Sequence, residues 1–122
     1  RRKHSAVAFE HTGFDDYVRM TERRFDAVLF NGSLQFFADQ EDAIGRAAAL
    51  LGPREGSRVV IAHANGGAFV RDEARGNPAT VRSIMPSLAE LRAMAERLGL
   101  RLDCADDDAG LDDFYLVALE AA

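Results

Sequence analysis

The sequence contains a single cysteine, no tryptophan and no excess of basic residues. The lone Cys104 cannot form a disulfide within the chain, so nothing requires an oxidising compartment. The formal net charge of −5 argues against a module that binds duplex nucleic acid, because neutralising phosphates needs clustered lysine and arginine. No apolar run approaches the length of a membrane span, and no signal peptide is visible. We therefore expect an intracellular protein of the cytoplasm or an organelle, not a secreted one, with neither nucleic acid nor membrane as partner.

The stretch from residue 25 to residue 37 is the most informative part of the sequence. Residues 25–30 form a short, nearly continuous apolar run that ends abruptly at Asn31, Gly32 and Ser33. This pattern is typical of a strand buried on both faces of a parallel sheet. Such sheets bind ligands beyond the carboxyl ends of their strands, and Gly32 would let a ligand approach the backbone closely. The alternative is an ordinary exit from a strand into a loop, where asparagine and glycine are common.

A second apolar run, residues 58–62, predicts another buried strand, and it ends in the polar, glycine-bearing residues 63–67. Adjacent carboxyl ends of parallel strands form one crevice, so the two loops together indicate a ligand site. Gly66 and Gly67 could present backbone N–H groups to an anion at the start of a helix. A simple turn is the alternative for these paired glycines.

The remaining elements alternate between helix and strand, which indicates an α/β fold. Asp39 is a good N-cap for a helix, and Ser87 with Glu90 forms a capping box for another. Residues 100–104 predict a half-exposed strand, residues 106–113 a solvated acidic turn, and residues 114–119 a buried strand that pairs antiparallel with the first. The acidic turn lacks the ligand pattern of an EF-hand, and the 3 histidines lack metal-ligand spacing, so we expect no metal site.

The order of these elements, together with four short motifs, resembles the carboxyl-terminal half of a class I S-adenosylmethionine-dependent methyltransferase. Val-Ala-Phe-Glu-His-Thr-Gly-Phe at residues 7–14 is similar to that family's third strand and the loop on the adenine side. Residues 25–37 are similar to its fourth strand and following loop, and residues 50–53 with 58–61 to the next helix end and fifth strand. The closing strand, turn and strand are similar to its terminal antiparallel hairpin.

The resemblance implies a partial Rossmann-like fold, with a mostly parallel sheet, a carboxyl-terminal antiparallel hairpin and flanking helices. Residues 1–122 would be a single partial domain, the second half of the methyltransferase domain. The family's glycine-rich loop and its ribose-binding acidic residue have no counterpart, and both would lie upstream of Arg1, where the missing initiator methionine suggests a truncated start. In that fold the strand at residues 27–30 pairs with the missing first strand, so we expect self-association or a complementing upstream segment.

The resemblance also implies which residues contact S-adenosylmethionine. Gly13 stands where the family usually has an aspartate, and Phe14 could still pack on the adenine ring. The carbonyl of Asn31 would face the cofactor's amino group, and Gly32 and Ser33 would continue this cofactor-binding loop.

The methyl-transfer site would be lined by Leu34, Gln35 and Phe36, again by resemblance. Methyl transfer needs little acid–base chemistry, because the sulfonium is already activated and the site mainly aligns the acceptor. If the acceptor must lose a proton, His63 is the best-placed base, although a polar loop histidine is the alternative. We therefore expect methyl transfer to an unknown small molecule within a larger domain, the chain alone being inactive. The alternatives are a non-catalytic α/β interaction module and another nucleotide-binding α/β protein.

Overall fold

The computed structural model describes residues 10–103 and 107–121. The strand expected at the start of residues 7–14 and Cys104 lie outside these residues. The helices and strands of the described residues follow the expected alternation. In chain order they are α1 (Phe14–Met20), β1 (Ala27–Asn31), a 3-10 helix (Leu34–Phe36), α2 (Gln40–Ala49), β2 (Arg58–His63), α3 (Gly66–Gly76), α4 (Leu88–Leu98), β3 (Leu100–Asp103), α5 (Asp108–Asp113) and β4 (Tyr115–Ala121).

The strands form one four-stranded sheet in the order β1-β2-β4-β3. β1 and β2 are parallel, as expected for strands joined through a helix, and the register places Asn31 opposite Ala62. β4 is antiparallel to both β2 and β3, which confirms the expected closing hairpin. A partial Rossmann-like α/β fold is thus what the chain adopts.

The hydrophobic core formed by the described residues lies on one face of this sheet. Alternate strand residues, such as Val59 and Ile61 of β2 and Val117 and Leu119 of β4, are fully buried there. The helices contribute the rest of the same core, which is formed by Ile44 and Ala47 of α2, Val70 of α3, Leu91 and Met94 of α4 and Leu111 of α5. All of these helices therefore shield the same side of the sheet.

The other side of the sheet, called the open face below, presents Leu29, Val60, Ala62 and Leu116. None of these four residues belongs to the buried core cluster, and Leu29 and Leu116 are 57% and 46% exposed. The expectation that β1 is buried on both faces is therefore wrong. The sequence pattern misled because an apolar run indicates that a strand can be buried, whereas burial itself depends on what packs against it.

Two helix starts match their sequence signals closely. The carboxylate of Asp39 accepts the backbone N–H of Asp42 at 3.0 Å and caps α2. Ser87 and Glu90 form both hydrogen bonds of the capping box at the start of α4, and α4 ends at Gly99 in the left-handed conformation.

The acidic segment after β3 is a helix rather than a solvated turn. α5 begins after Asp107, whose side chain accepts the backbone N–H of Gly110 at 2.7 Å. Leu111 anchors this short helix in the core, where it packs against the start of α3. Aspartate has a low helix propensity, but a cap and a buried leucine outweigh it in this segment. In the part of the chain that the structure describes, no helix has the length and apolar character needed to cross a membrane.

Gly66 shows how closely α3 and α5 approach each other. It has φ of 83°, and an added Cβ would lie 2.1 Å from the backbone oxygen of Asp112. We expect Gly66→Ala to lower the free energy of unfolding by about 3 kcal/mol or more, because neither the backbone conformation nor the space allows a side chain. Urea unfolding followed by circular dichroism measures this change.

Gly76, at the other end of α3, provides the matched control. An added Cβ there meets nothing within 4 Å, and its φ is not in the left-handed region. Gly76→Ala should leave the stability unchanged or raise it by up to about 1 kcal/mol. Equal effects of the two substitutions would contradict the close packing of α3 on α5.

Candidate functional site

The carboxyl ends of β1 and β2 lie side by side. The N–H of Gly32 donates to the carbonyl of Ala62 at 2.8 Å and extends the parallel pairing beyond the last residue of β1. Residues 31–33 therefore lie next to residues 63–65, as the sequence predicted for a shared crevice.

Gly32 turns the chain out of the sheet in the left-handed conformation, with φ of 67°. An added Cβ would meet nothing within 4 Å, so the glycine is needed for its backbone conformation and not for close packing within the chain. The space beside its Cα is consequently open to a ligand.

Asn31 is the last residue of β1 and is exposed, with its side chain on the open face by strand alternation. The hydrogen bonds from this strand to β2 are made by Asp26, by Gly32 and by the even-numbered residues between them. The backbone groups of Asn31, an odd-numbered residue, therefore do not pair with β2. The carbonyl of Asn31 is thus directed away from β2 and is available to a ligand. Ser33 is partly buried and its carbonyl accepts the N–H of Phe36 at 3.1 Å.

Phe14 lies close to this loop, although it is distant in sequence. Its ring makes edge-to-face contacts with Phe30 and Phe37, at centroid distances of 5.7 and 5.6 Å. Gly13 precedes α1, is exposed, and its carbonyl accepts the N–H of Tyr17 at 2.9 Å. The structure therefore brings both predicted adenine-side residues near the end of β1, and their contact with adenine stays a prediction.

The three residues predicted to line the methyl-transfer site have different surroundings. Leu34 is in the core, and Gln35 is also buried, at 2% exposure, whereas Phe36 is 48% exposed. The amide nitrogen of Gln35 donates to the carbonyl of Gly32 at 3.0 Å, so Gln35 holds the left-handed turn in place. The Gln35 amide oxygen is buried without a hydrogen-bond partner among the described residues. Of the three side chains, only that of Phe36 is presented at the surface.

A segment that sequence reasoning missed supports the loop after β1. The N–H groups of Arg82 and Ser83 donate to the carbonyl of Gln35 at 2.9 and 3.0 Å, and the Ser83 hydroxyl donates to the carbonyl of Phe37 at 2.7 Å. Gln40 completes the contact by donating to the Ser83 hydroxyl at 2.8 Å. The partners are more than forty residues apart in the sequence, and no local signal would have paired them.

His63 is the last residue of β2, and its side chain lies on the helix-covered face, opposite in direction to that of Asn31. The ring is 7% exposed and packs 5.7 Å from the ring of Phe69. Its Nδ1 accepts the backbone N–H of Asn65 at 3.2 Å, so the neutral ring carries its proton on Nε2. Because the Nδ1 lone pair is engaged, taking a proton there would require this hydrogen bond to break, and the role of His63 as a base stays a prediction.

Tyr115 lies opposite His63 in the β2–β4 register and is almost fully buried. Its hydroxyl donates to the carbonyl of Pro86 at 2.7 Å. Burial, with the negative charges of Asp108 and Glu90, raises the pKa of Tyr115 well above its usual value. Tyr115 therefore stays protonated and acts as a hydrogen-bond donor that ties the segment before α4 to the sheet.

The predicted anion site at Gly66 and Gly67 is instead filled by the protein itself. An added Cβ on Gly67 would lie 3.3 Å from the Asp112 carboxylate, which also forms a 3.0 Å ion pair with Arg71. A carboxylate from α5 thus already lies beside the start of α3. A glycine is required at Gly66 because two helices meet here, whereas Gly67 lies beside the side chain of Asp112. In residues 10–103 and 107–121, no group of three or more histidine, cysteine or acidic side chains could hold a metal ion.

Comparison with solved structures relates this arrangement to known proteins. An O-methyltransferase family protein from Burkholderia thailandensis superposes with a TM-score of 0.70 at 17% identity, over 95% of this chain and 36% of that one. The chain shares its fold with class I methyltransferases. N,N-8-amino-8-demethyl-D-riboflavin dimethyltransferase from Streptomyces davawensis gives a TM-score of 0.62 at 15% identity, over 88% and 33%. Mitomycin 7-O-methyltransferase gives 0.58 at 19% identity, over 88% and 32%.

The chain spans about a third of the length of these methyltransferases. The resemblance read from the sequence is therefore confirmed at the level of the fold. No protein-family model and no curated protein sequence matches the chain.

The position of His63 leads to a test of its structural role. His63→Ala should lower the free energy of unfolding by about 1–3 kcal/mol, because the Asn65 N–H loses its acceptor and Phe69 loses a packing partner. Asn65→Ala is the control, since it keeps the backbone N–H and the Asn65 side chain makes no capping bond. That control should change stability by less than about 0.5 kcal/mol. An unaffected His63→Ala variant in urea titrations would show that the contact is not stabilising.

Gly32 leads to a second test. The left-handed φ of Gly32 strains any β-branched residue placed there. We expect Gly32→Val to lower the free energy of unfolding by about 1–3 kcal/mol. Gly32→Asn should lower it by less than about 1 kcal/mol, because asparagine tolerates this conformation. Thermal unfolding of the two variants measures this difference. Equal midpoints would contradict the need for a residue that tolerates the left-handed conformation at position 32.

Proposed function

We propose that this chain forms one side of an S-adenosylmethionine-dependent methyl-transfer site, in a domain to which further residues contribute. The observation that carries the proposal is the paired exit of β1 and β2, with open space beside Gly32 and an outward-facing carbonyl at Asn31. Parallel sheets bind ligands at this position. The shared fold supports the choice of cofactor, since the similar solved structures include methyltransferases and one protein described in complex with S-adenosylmethionine.

The residues at this edge would bind and orient the cofactor. The Asn31 carbonyl would accept a hydrogen bond from the cofactor's amino group, and the bare Cα of Gly32 would let the ligand approach the backbone. Phe14, held against Phe30 and Phe37, would pack on the adenine ring. Gln35 would keep the turn in its binding conformation through its 3.0 Å bond to the Gly32 carbonyl.

The acceptor is proposed to be a small molecule. Two of the similar enzymes are named for a riboflavin derivative and for mitomycin. In this chain, the exposed ring of Phe36 provides an apolar surface next to Ser33 on which such an acceptor could pack. The cofactor supplies an activated methyl group, so the protein's task is to align the acceptor and exclude water.

His63 is proposed to support this site and to act as a base only if its bond to Asn65 opens. Its ring lies on the helix-covered face at the end of β2, one residue beyond the partner of Asn31. A reaction in which the acceptor enters already deprotonated would need no such base.

The proposal predicts weak but localised cofactor binding by the 122-residue chain. We expect S-adenosylmethionine to shift the backbone amide NMR signals of Asn31, Gly32 and Ser33, with a dissociation constant of about 1 mM, because about half of the expected contacts lie outside the chain. Gly32→Asn should abolish these shifts while keeping the fold, since its side chain enters the open space. Signals of β3, which lies at the opposite edge of the sheet, serve as the internal control.

One outcome would enlarge the share of the cofactor site assigned to this chain, and two would favour a different function. Micromolar affinity in calorimetry would mean that the chain holds most of the cofactor site itself. Equal shifts of the same amides with adenosine monophosphate would favour another nucleotide-binding α/β protein. An absence of shifts with either ligand, at several millimolar, would favour a non-catalytic interaction module.

A further inference from the structure

His63 is held at the carboxyl edge of the sheet by contacts within this chain. It follows Ala62, whose carbonyl accepts the N–H of Gly32 at 2.8 Å, so the backbone of His63 lies beside the loop after β1. Its ring is 7% exposed, and its centroid lies 5.7 Å from that of the Phe69 ring. The ring therefore has a fixed position next to the candidate site.

One hydrogen bond sets the tautomer of this ring. Nδ1 accepts the backbone N–H of Asn65 at 3.2 Å, and an imidazole nitrogen can accept only when it carries no proton. The neutral ring therefore carries its proton on Nε2. In the other tautomer two N–H groups would point at each other, and the hydrogen bond would be lost.

Nε2 differs from Nδ1 in having no hydrogen-bond partner within the described residues. The hydroxyl of Tyr115, the residue paired with His63 in β4, donates instead to the carbonyl of Pro86 at 2.7 Å. In residues 10–103 and 107–121, the one buried side-chain atom without a partner is the amide oxygen of Gln35, so Nε2 is not sealed in the core. The ring thus presents an oriented N–H donor through its remaining exposed surface.

We propose that His63 binds the methyl acceptor as a hydrogen-bond donor through Nε2–H, and that the oxygen it holds is an ionised hydroxyl. This role rests on the proposed function and specifies the chemical class of the acceptor. A hydrogen bond to a negatively charged oxygen is roughly twice as strong as one between neutral groups, so the donor favours the ionised form. The hydroxyl proton is released to solvent on binding, and His63 neither gains nor loses a proton.

A general base would need the opposite arrangement. It would receive the hydroxyl proton on Nε2, which already carries one, or on Nδ1, whose lone pair is engaged with Asn65. A carboxylate acceptor fits less well, because two carboxylate oxygens are best bound by two parallel donors and the ring offers one. A single donor without a free lone pair therefore matches a single ionised oxygen.

NMR of the imidazole nitrogens in the 122-residue chain measures the tautomer. We expect the Nε2–H form of His63 to exceed the Nδ1–H form at least about tenfold, because only the former keeps the bond to Asn65. Equal populations, or a predominant Nδ1–H form, would overturn the proposal. The tautomer does not depend on S-adenosylmethionine, so this result separates a failure of the donor role from a failure of the proposed function.

Ligands that share one ring test the role of the donor in binding. At a pH at which it is ionised, para-nitrophenol should bind at least about tenfold more tightly than its methyl ether, para-nitroanisole, and should shift the Nε2 signal of His63. The carboxylate para-nitrobenzoate should bind more weakly than para-nitrophenol. The reverse order, or no shift of the Nε2 signal at several millimolar para-nitrophenol, would overturn the assignment of an ionised hydroxyl.

Substitutions of His63 separate ligand binding from support of the fold. His63→Gln has an amide that can accept from the Asn65 N–H and still donate, so the preference for para-nitrophenol should be retained. His63→Phe keeps a ring beside Phe69 but has no donor, and the preference should fall below about twofold. A preference retained in a folded His63→Phe variant would overturn the proposal, as would its loss in a folded His63→Gln variant. Circular dichroism establishes folding, and the wild-type measurements decide the question if a variant does not fold.

Discussion

The position of β2 is the constraint on which the other parts of this structure depend. β2 pairs parallel with β1 on one side and antiparallel with β4 on the other, and its Val59 and Ile61 are completely buried. The parallel pairing puts the exits of β1 and β2 at one edge of the sheet. The antiparallel pairing places Tyr115, at the start of β4, beside His63 and so connects the segment before α4 to the same edge.

A second feature of the sheet is that its strands bury their apolar side chains mainly on one face. Parallel strand pairs in proteins are almost always covered on both faces, because helices cross over from strand to strand. In residues 10–103 and 107–121 the helices cover one face, while Leu29 and Leu116 are exposed on the other. The candidate cofactor site lies at the boundary, since Asn31 belongs to the open face and His63 to the covered one. A ligand at this edge would therefore contact a well-packed loop on one side and an incompletely covered sheet on the other.

The loop after β1 owes its shape to contacts that are remote in sequence. Ser83 and Arg82 hold the carbonyls of Gln35 and Phe37, and Gln35 in turn holds the carbonyl of Gly32. The left-handed turn is thus held by partly buried hydrogen bonds on the side away from solvent, and such bonds are costly to leave unmade. In the part of the chain that the structure describes, no atom lies within 4 Å of a Cβ added at Gly32, so this arrangement leaves that side of the turn open.

The sequence by itself determined the local features of this protein. The caps at Asp39 and Ser87, the strands of the closing hairpin and the paired loops after β1 and β2 follow from short-range hydrogen bonding and apolar periodicity, which act over a few residues. The resemblance to methyltransferases rested on the order of these same elements. Only the tertiary structure decided which strand face is covered, that the acidic segment is a helix, and that Gly66 and Gly67 pack against α5. Those outcomes depend on which distant surface meets each element, because an apolar side chain or a glycine does not by itself specify its neighbour.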